Sequence, residues 1–251
     1  MDHELDHVRP FYRKALGALR DAGLPFLIGG AYALGIHTGI HRETKDLDIF
    51  TVPRAAPKIL ELFADLGYAS KLIARHWLGK VTWEDAIIDI IFGFRNGVSQ
   101  VDDRWFECAQ DGMLFEMPVR ILAPEEMIWS KAFVGERERF DGADIVHLIR
   151  GRTADLDWKR LLDRFGSYWP LLLHYLVLFG FVYPAERANI PEWMVRELTD
   201  RWRRPDPCAA PELCQGTLLS HLQYVHDVDV LGMSDARLLP IGNLTEQGIN
   251  E

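Results

Sequence analysis

The sequence predicts an α/β (α+β) protein: a core that mixes strands and helices, followed by a helical C-terminal region. Three observations carry this. Phe26-Leu27-Ile28-Gly29-Gly30 is a short apolar strand running into a glycine pair, with the helix-like Ala31-Tyr32-Ala33-Leu34 directly after it. Ala86-Ile87-Ile88-Asp89-Ile90-Ile91-Phe92 is a nearly unbroken β-branched and aromatic run, as in a central strand buried on both faces. Beyond Pro124 the apolar residues fall at helical spacing along most of the remaining chain.

The elements follow in order. Residues 1–22 fit an amphipathic helix, with Leu5, Val8, Phe11, Tyr12, Leu16 and Leu19 near helical spacing and Gly23 to stop it. After the strand and glycine turn comes a polar loop over 35–45, then a second strand, Asp46-Leu47-Asp48-Ile49-Phe50. Pro53 ends it and opens a helix to about residue 66, stopped by Gly67. Residues 68–74, 80–83 and 86–92 read as strands, 98–108 contains a short helix, and 113–115 and 119–122 read as two further strands. Pro124 and the acidic pair Glu125-Glu126 mark a helix start, since acidic groups suit the positive end of the helix dipole. Helices are then expected over 125–134, 141–150, 156–165, 169–179, 192–203 and 213–231, with Pro205-Asp206-Pro207 as a break. The expected organisation is a core over 1–123, a helical region over 124–231 that contributes Lys131 and Asp144 to the cleft, and a tail over 232–251.

Composition narrows the classes. At 251 residues, 48% hydrophobic and 26% charged, the chain can bury a sizeable core. The longest apolar run, 171–182, is interrupted by His174 and Gly180 and falls short of the roughly 18 residues that a membrane span needs. The acidic start Met1-Asp2-His3-Glu4 lacks the features of a secretory signal, and three cysteines suit a reducing compartment, so a cytoplasmic location is expected. A net charge of −9 argues against a surface that coats nucleic acid, and any RNA partner would have to be held by a local groove.

The chemistry centres on acidic residues in strand contexts. Side chains alternate along a strand, so Asp46 and Asp48 share one face, roughly 6–7 Å apart, and can chelate a metal. Asp89 inside an Ile/Phe run would lose hydration, at a cost of several kcal/mol, unless a cation or hydrogen-bond donors compensate, and a metal is the economical compensation. Gly29 and Gly30 at a strand-to-helix turn leave backbone N–H groups open to a phosphate at the positive end of a helix. Three carboxylates from adjacent strands can hold two Mg2+ or Mn2+ ions, the set-up for in-line nucleotidyl transfer from an NTP.

Gly29-Gly30, Lys45-Asp46-Leu47-Asp48-Ile49 and Asp89 resemble the motifs of the DNA polymerase β-type nucleotidyltransferase superfamily. The resemblance covers roughly residues 24–150 and implies a mixed-sheet core, an NTP donor, and Asp46, Asp48 and Asp89 as metal ligands. Lys131, Arg139, Asp141 and Asp144 are similar to motifs of abortive-infection-type toxin nucleotidyltransferases. That similarity implies that Lys131 meets the NTP phosphates, that Asp144 acts near the acceptor or the donor base, and that an antitoxin belongs among the partners to consider. Gly29-Gly30 stands where many relatives have glycine-serine, and the helical part from 151 matches no acceptor-binding domain. The acceptor is left open among tRNA or other RNA, protein in a toxin-like role, and a small molecule of the antibiotic type. A non-catalytic nucleotide-binding module is the remaining reading.

Plainer readings stand beside these. Lys131 lies on the apolar side of its helix, after Met127 and Ile128, and could serve a salt bridge to Asp144 instead of a phosphate. Arg42, Thr44 and Lys45 either orient the donor beside the carboxylates or cap their own loop. Asp227-Val228-Asp229 repeats the Asp-x-Asp spacing but follows helical sequence with no glycine turn, and reads as a solvated helix end. Cys208, Cys214, His221 and His226 match no compact zinc pattern.

Overall fold

The computed structural model describes residues 8–42, 44, 46–205 and 210–245. The chain divides into two compact units, Met1–Ala123 with Leu238–Glu251, and Pro124–Arg237.

In the first unit, α1 (Arg9–Asp21) buries Phe11, Tyr12, Ala15, Leu16 and Leu19 along one stripe. It stops where Gly23 turns to φ +64 and Leu24 N–H bonds back to Leu19 O, the glycine-dependent end expected of this sequence. Residues 1–7 of the expected helix lie outside the described residues. Then come β1 (Leu27–Ile28), α2 (Gly30–Thr38), β2 (Asp46–Phe50), α3 (Ala56–Asp65), β3 (Ala69–Ala74), β4 (Leu78–Trp83), β5 (Ala86–Ile91), α4 (Asp103–Glu107), β6 (Gln110–Leu114) and β7 (Met117–Ile121). The strands form one mixed seven-stranded sheet in the order β3-β4-β5-β2-β1-β7-β6. β2 runs parallel to β5 and antiparallel to β1.

One face of this sheet is closed. Leu47, Ile49, Val81, Ile88 and Ile90 are fully buried on it. Leu60 of α3 lies against Gly79 there, and Ser70 donates to Leu60 O at 2.7 Å. Phe11 of α1 stacks on Trp83 and meets Tyr68 edge-on. β5 departs from the expectation of burial on both sides: Ala86, Ile88 and Ile90 are buried, but Ile87, Asp89 and Ile91 are half-buried. The apolar run therefore serves a strand with one closed face, and Asp89 sits on the more open one.

The second unit contains α5 (Pro124–Lys131), α6 (Gly142–Arg152), α7 (Trp158–Phe165), α8 (Trp169–Val182), α9 (Glu192–Arg203), β8 (Leu213–Cys214), α10 (His221–Asp229) and β9 (Ser234–Asp235). Its acidic helix start does more than meet the helix dipole. Glu125 and Glu126, each 2% exposed, are held by Arg160 of α7. Arg160 Nη1 reaches both Glu126 oxygens at 2.9 and 3.0 Å, and Arg164 adds a bond at 3.2 Å. Burial still pushes the Glu126 carboxyl up, against the pull of both arginines.

The single helix expected over 213–231 is instead a short strand, a turn of 3₁₀ helix over Gln215–Leu218, and α10. Cys214 pairs in parallel with Asp235 of β9, and a buried Arg237–Asp235 ion pair fixes that corner. The Asp227-Val228-Asp229 repeat lies at the end of α10, where helical geometry separates the two side chains.

Taken together, Trp158–Val182 is long and apolar enough by length and composition to cross a membrane, which the run at 171–182 did not suggest. Gly166, at φ +49, breaks the stretch into α7 and α8. α8 has 14 residues, and at about 1.5 Å per residue it falls short of a hydrocarbon core of about 30 Å.

Candidate active site

The parallel register of β2 and β5 places Asp48 directly beside Asp89, with Asp46 beside Ile87. Since Leu47 and Ile49 fill the closed face, Asp46, Asp48 and Asp89 all leave the other face of the sheet. The same cross-row continues into the hairpin, where Asp89 pairs with Lys80 of β4 and Lys80 with Lys71 of β3. Lys80 Nζ lies 2.9 Å from Asp89 Oδ1. The Asp89 side chain is 17% exposed and this oxygen is buried, with the Lys80 ammonium as its close cationic neighbour. Burial and the charge of Asp89 push the Asp46 carboxyl up, while Lys80 partly offsets them.

The glycine turn meets these carboxylates from β1. Gly29 N–H donates to Asp48 O at 3.0 Å, so this N–H is spent on the sheet and is not open to a ligand. A side chain at Gly29 would run into the Phe50 ring. Gly30 opens α2 at φ +56, and a Cβ there would lie 1.7 Å from Asp48 Oδ2. The second glycine is therefore the one that lets a carboxylate approach the start of the helix. α2 has no side-chain cap, and the first N–H groups of a helix lack intrahelical acceptors, which leaves an anion-favouring end beside Asp48.

Thr44 Oγ1 bonds to the backbone of Asp46 on both sides, at 3.2 and 3.3 Å, and so shapes the entry to β2. Arg42 is exposed on the same loop, and Lys45 lies outside the described residues. A divalent cation fits the donor set: three carboxylates share one face of the sheet, and the charge of Asp89 adds to burial in pushing the Asp46 carboxyl up. Among the described residues, no three such groups are already drawn together at metal-holding distances.

Lys131 and Asp144 belong to the second unit. Lys131 Nζ donates to Asp141 Oδ2 at 3.0 Å and Asp144 Oδ2 at 2.8 Å, and Arg139 reaches Asp141 Oδ1 at 3.4 Å. Burial raises the Asp141 carboxyl, but the charges and hydrogen bonds of Lys131 and Arg139 outweigh it and hold it below the usual range. The salt bridge weighed from the sequence thus exists, extended by Asp141. A groove of about 840 Å³ lies elsewhere in the first unit, lined by Leu16, Pro25, Phe26, Met113 and Met117, and none of the expected site residues lines it.

Comparison with curated proteins gives no match. Among solved structures, the chain is similar to the antibiotic-resistance factor ANT(2'')-Ia, with 18% identity over 66% of this chain and 95% of that one and a TM-score of 0.48. The lincosamide antibiotic adenylyltransferase LnuA shows 16% identity over 56% and 94%, with a TM-score of 0.41. An antigenic nucleotidyltransferase-like protein from Paracoccidioides brasiliensis shows 16% identity over 70% and 88%, with a TM-score of 0.44. A family model described as aminoglycoside-2''-adenylyltransferase matches residues 12–145, just over half of the chain. That span holds both glycines, the three aspartates on the open sheet face, Lys131 and Asp144, and with it the chain belongs to the aminoglycoside-2''-adenylyltransferase family of nucleotidyltransferases.

Proposed function

We propose that this protein transfers a nucleoside monophosphate, AMP by preference, from an NTP to a hydroxyl group of a small-molecule acceptor. The observation that carries the reading is the cross-strand pairing of Asp48 with Asp89 on the face that also bears Asp46, one strand away from the Gly30 helix start. The acceptor oxygen bonds to the α-phosphorus, the bond to the bridging oxygen breaks, and pyrophosphate leaves. Asp89 would take the hydroxyl proton, and Gly30 with the start of α2 would seat phosphate oxygens.

Asp46, Asp48 and Asp89 would hold Mg2+ or Mn2+, which would supply charge neutralisation and acidify the attacking hydroxyl. Lys131 and Asp144 are assigned nucleotide-side roles on the strength of their resemblance to known motifs. Arg42, Thr44 and Lys45 would orient the donor. The description of the matching family favours a small acceptor of the antibiotic type over tRNA, protein or a toxin-like role, and gives no ground for an antitoxin.

The test is a transfer screen with labelled NTPs against aminoglycosides, other hydroxyl-bearing antibiotics, total RNA and cellular protein. Label on a small acceptor with release of pyrophosphate is expected. Label confined to RNA or protein would overturn the acceptor class, and no transfer to anything would overturn the catalytic reading. Asp48→Asn should lower turnover roughly a hundred- to a thousandfold, the scale of losing one electrostatic stabiliser of a transition state, with the circular dichroism spectrum retained.

A further inference from the structure

We propose that Lys80 is a positioning residue that holds Asp89 as its resting counter-ion and competes with the divalent cation for that carboxylate. The inference rests on the nucleotidyltransferase reading above. It begins with the sheet row Asp48–Asp89–Lys80–Lys71, in which two acids and two lysines lie side by side on four adjacent strands. Of these contacts, Lys80 to Asp89 is closed, at 2.9 Å between a lysine 30% and an aspartate 17% exposed. An ammonium on a flexible stem is a point charge that can leave without rebuilding the strand. At 30% exposure the Lys80 stem has solvent to swing into, so the contact can open while the strand stays in place.

The cost of gathering three carboxylates on one face is otherwise their mutual repulsion, since Asp48 and Asp89 are direct cross-strand neighbours and Asp46 leaves the same face. Lys80 lowers that cost while no cation is bound. When a divalent ion takes Asp89, Lys80 must give way, because two cations cannot share one carboxylate at contact distance without repulsion. The released ammonium then stands beside Lys71, its cross-strand neighbour on the other side. Lys80 thus sets how tightly the site holds its cation, and it leaves the ligand set itself unchanged.

The experiment measures Mn2+ affinity by calorimetry and by paramagnetic resonance, with no nucleotide or acceptor present, for the wild type, Lys80→Met, Lys80→Gln and Lys80→Arg. Melting curves without metal are recorded alongside. Lys80→Met and Lys80→Gln should bind Mn2+ roughly three- to tenfold more tightly and melt earlier without it, a change of about 0.7–1.4 kcal/mol. Lys80→Arg should stay near the wild type. The wild-type affinity should also rise with salt that weakens the ion pair, relative to the neutral variants. Equal affinity in the wild type and both neutral variants overturns the inference and leaves the function standing. Failure of every protein to bind Mn2+ overturns the metal reading and the inference with it. Lys80→Gln keeps the test decisive if Lys80→Met fails to fold.

Discussion

Gly30 and Asp48 show how closely one backbone position and one side chain can depend on each other. With a Cβ placed 1.7 Å from Asp48 Oδ2 at φ +56, Gly30→Ala has to displace the carboxylate and carry left-handed strain of about 1 kcal/mol. We expect a lower urea midpoint together with loss of pyrophosphate release. Loss of turnover at unchanged stability would show that only the carboxylate moved.

Two aspartates should respond to pH in opposite senses. Asp46 has a raised folded-state value, so its contribution to stability is fully present below the ordinary carboxylate value and is lost as pH rises through the raised one. Asp46→Asn should therefore melt later than the wild type at neutral pH and lose that advantage in acid. Asp141 has a lowered value, so its contribution is present above the ordinary value and is lost as pH falls through the lowered one. Asp141→Asn should melt earlier at neutral pH and converge on the wild type in acid. Thermal melts across the acid range check both.

At the scale of elements, the α5–α7 contact is a buried ionic lock and should behave as one. Arg160→Met would leave Glu125 and Glu126, each 2% exposed, without their main partner, at a cost of roughly 3–5 kcal/mol. A fall in melting temperature that is relieved by adding Glu125→Gln and Glu126→Gln would identify the unpaired charge as the cause. Wild-type stability in Arg160→Met would show that Arg164 alone suffices.

The elements also show what could be seen in the sequence and what could not. β5 is legible from its β-branched run, β2 from aspartates alternating with apolar residues ahead of Pro53, and α9 matches its expected 192–203 span. Lys80 is not among the residues that the motifs mark, although the sequence carries a signal for it. Glu84-Asp85 forms a two-residue turn with Glu84 at φ +54, and counting back from the Trp83–Ala86 pair sets Lys80 opposite Asp89. The Asp48–Asp89 pairing carries no such local signal, because a parallel pair is joined through distant chain and its register is fixed by packing. Gly29 looked like a phosphate seat because the residue type shows freedom of backbone but not whether its N–H is already engaged. The helix expected at 213–231 failed where Cys214 found a strand partner in Asp235, a contact that helical periodicity does not register.

At the scale of the whole molecule, the chain leaves the first unit after Ala123, builds the second, and returns at Leu238. The returning segment contributes real packing. Leu244 is buried against Gly97, Asn243 Nδ2 donates to Gly97 O at 2.8 Å, and Leu239 N–H bonds to Leu244 O at 3.0 Å. Removing residues 238–251 should cost the first unit about 2 kcal/mol, the worth of one large buried aliphatic side chain with its neighbours, as read by chemical denaturation. An unchanged midpoint would mean that the segment merely rests on the surface.

That return has a practical corollary for anyone dissecting the protein. A gene fragment cut at Ala123 yields the strands and aspartates without the closing piece, so its failure would say little about whether the sheet can stand by itself. Joining Ala123 to Leu238 through a flexible glycine-serine linker keeps both pieces of the unit and gives the fairer minimal protein.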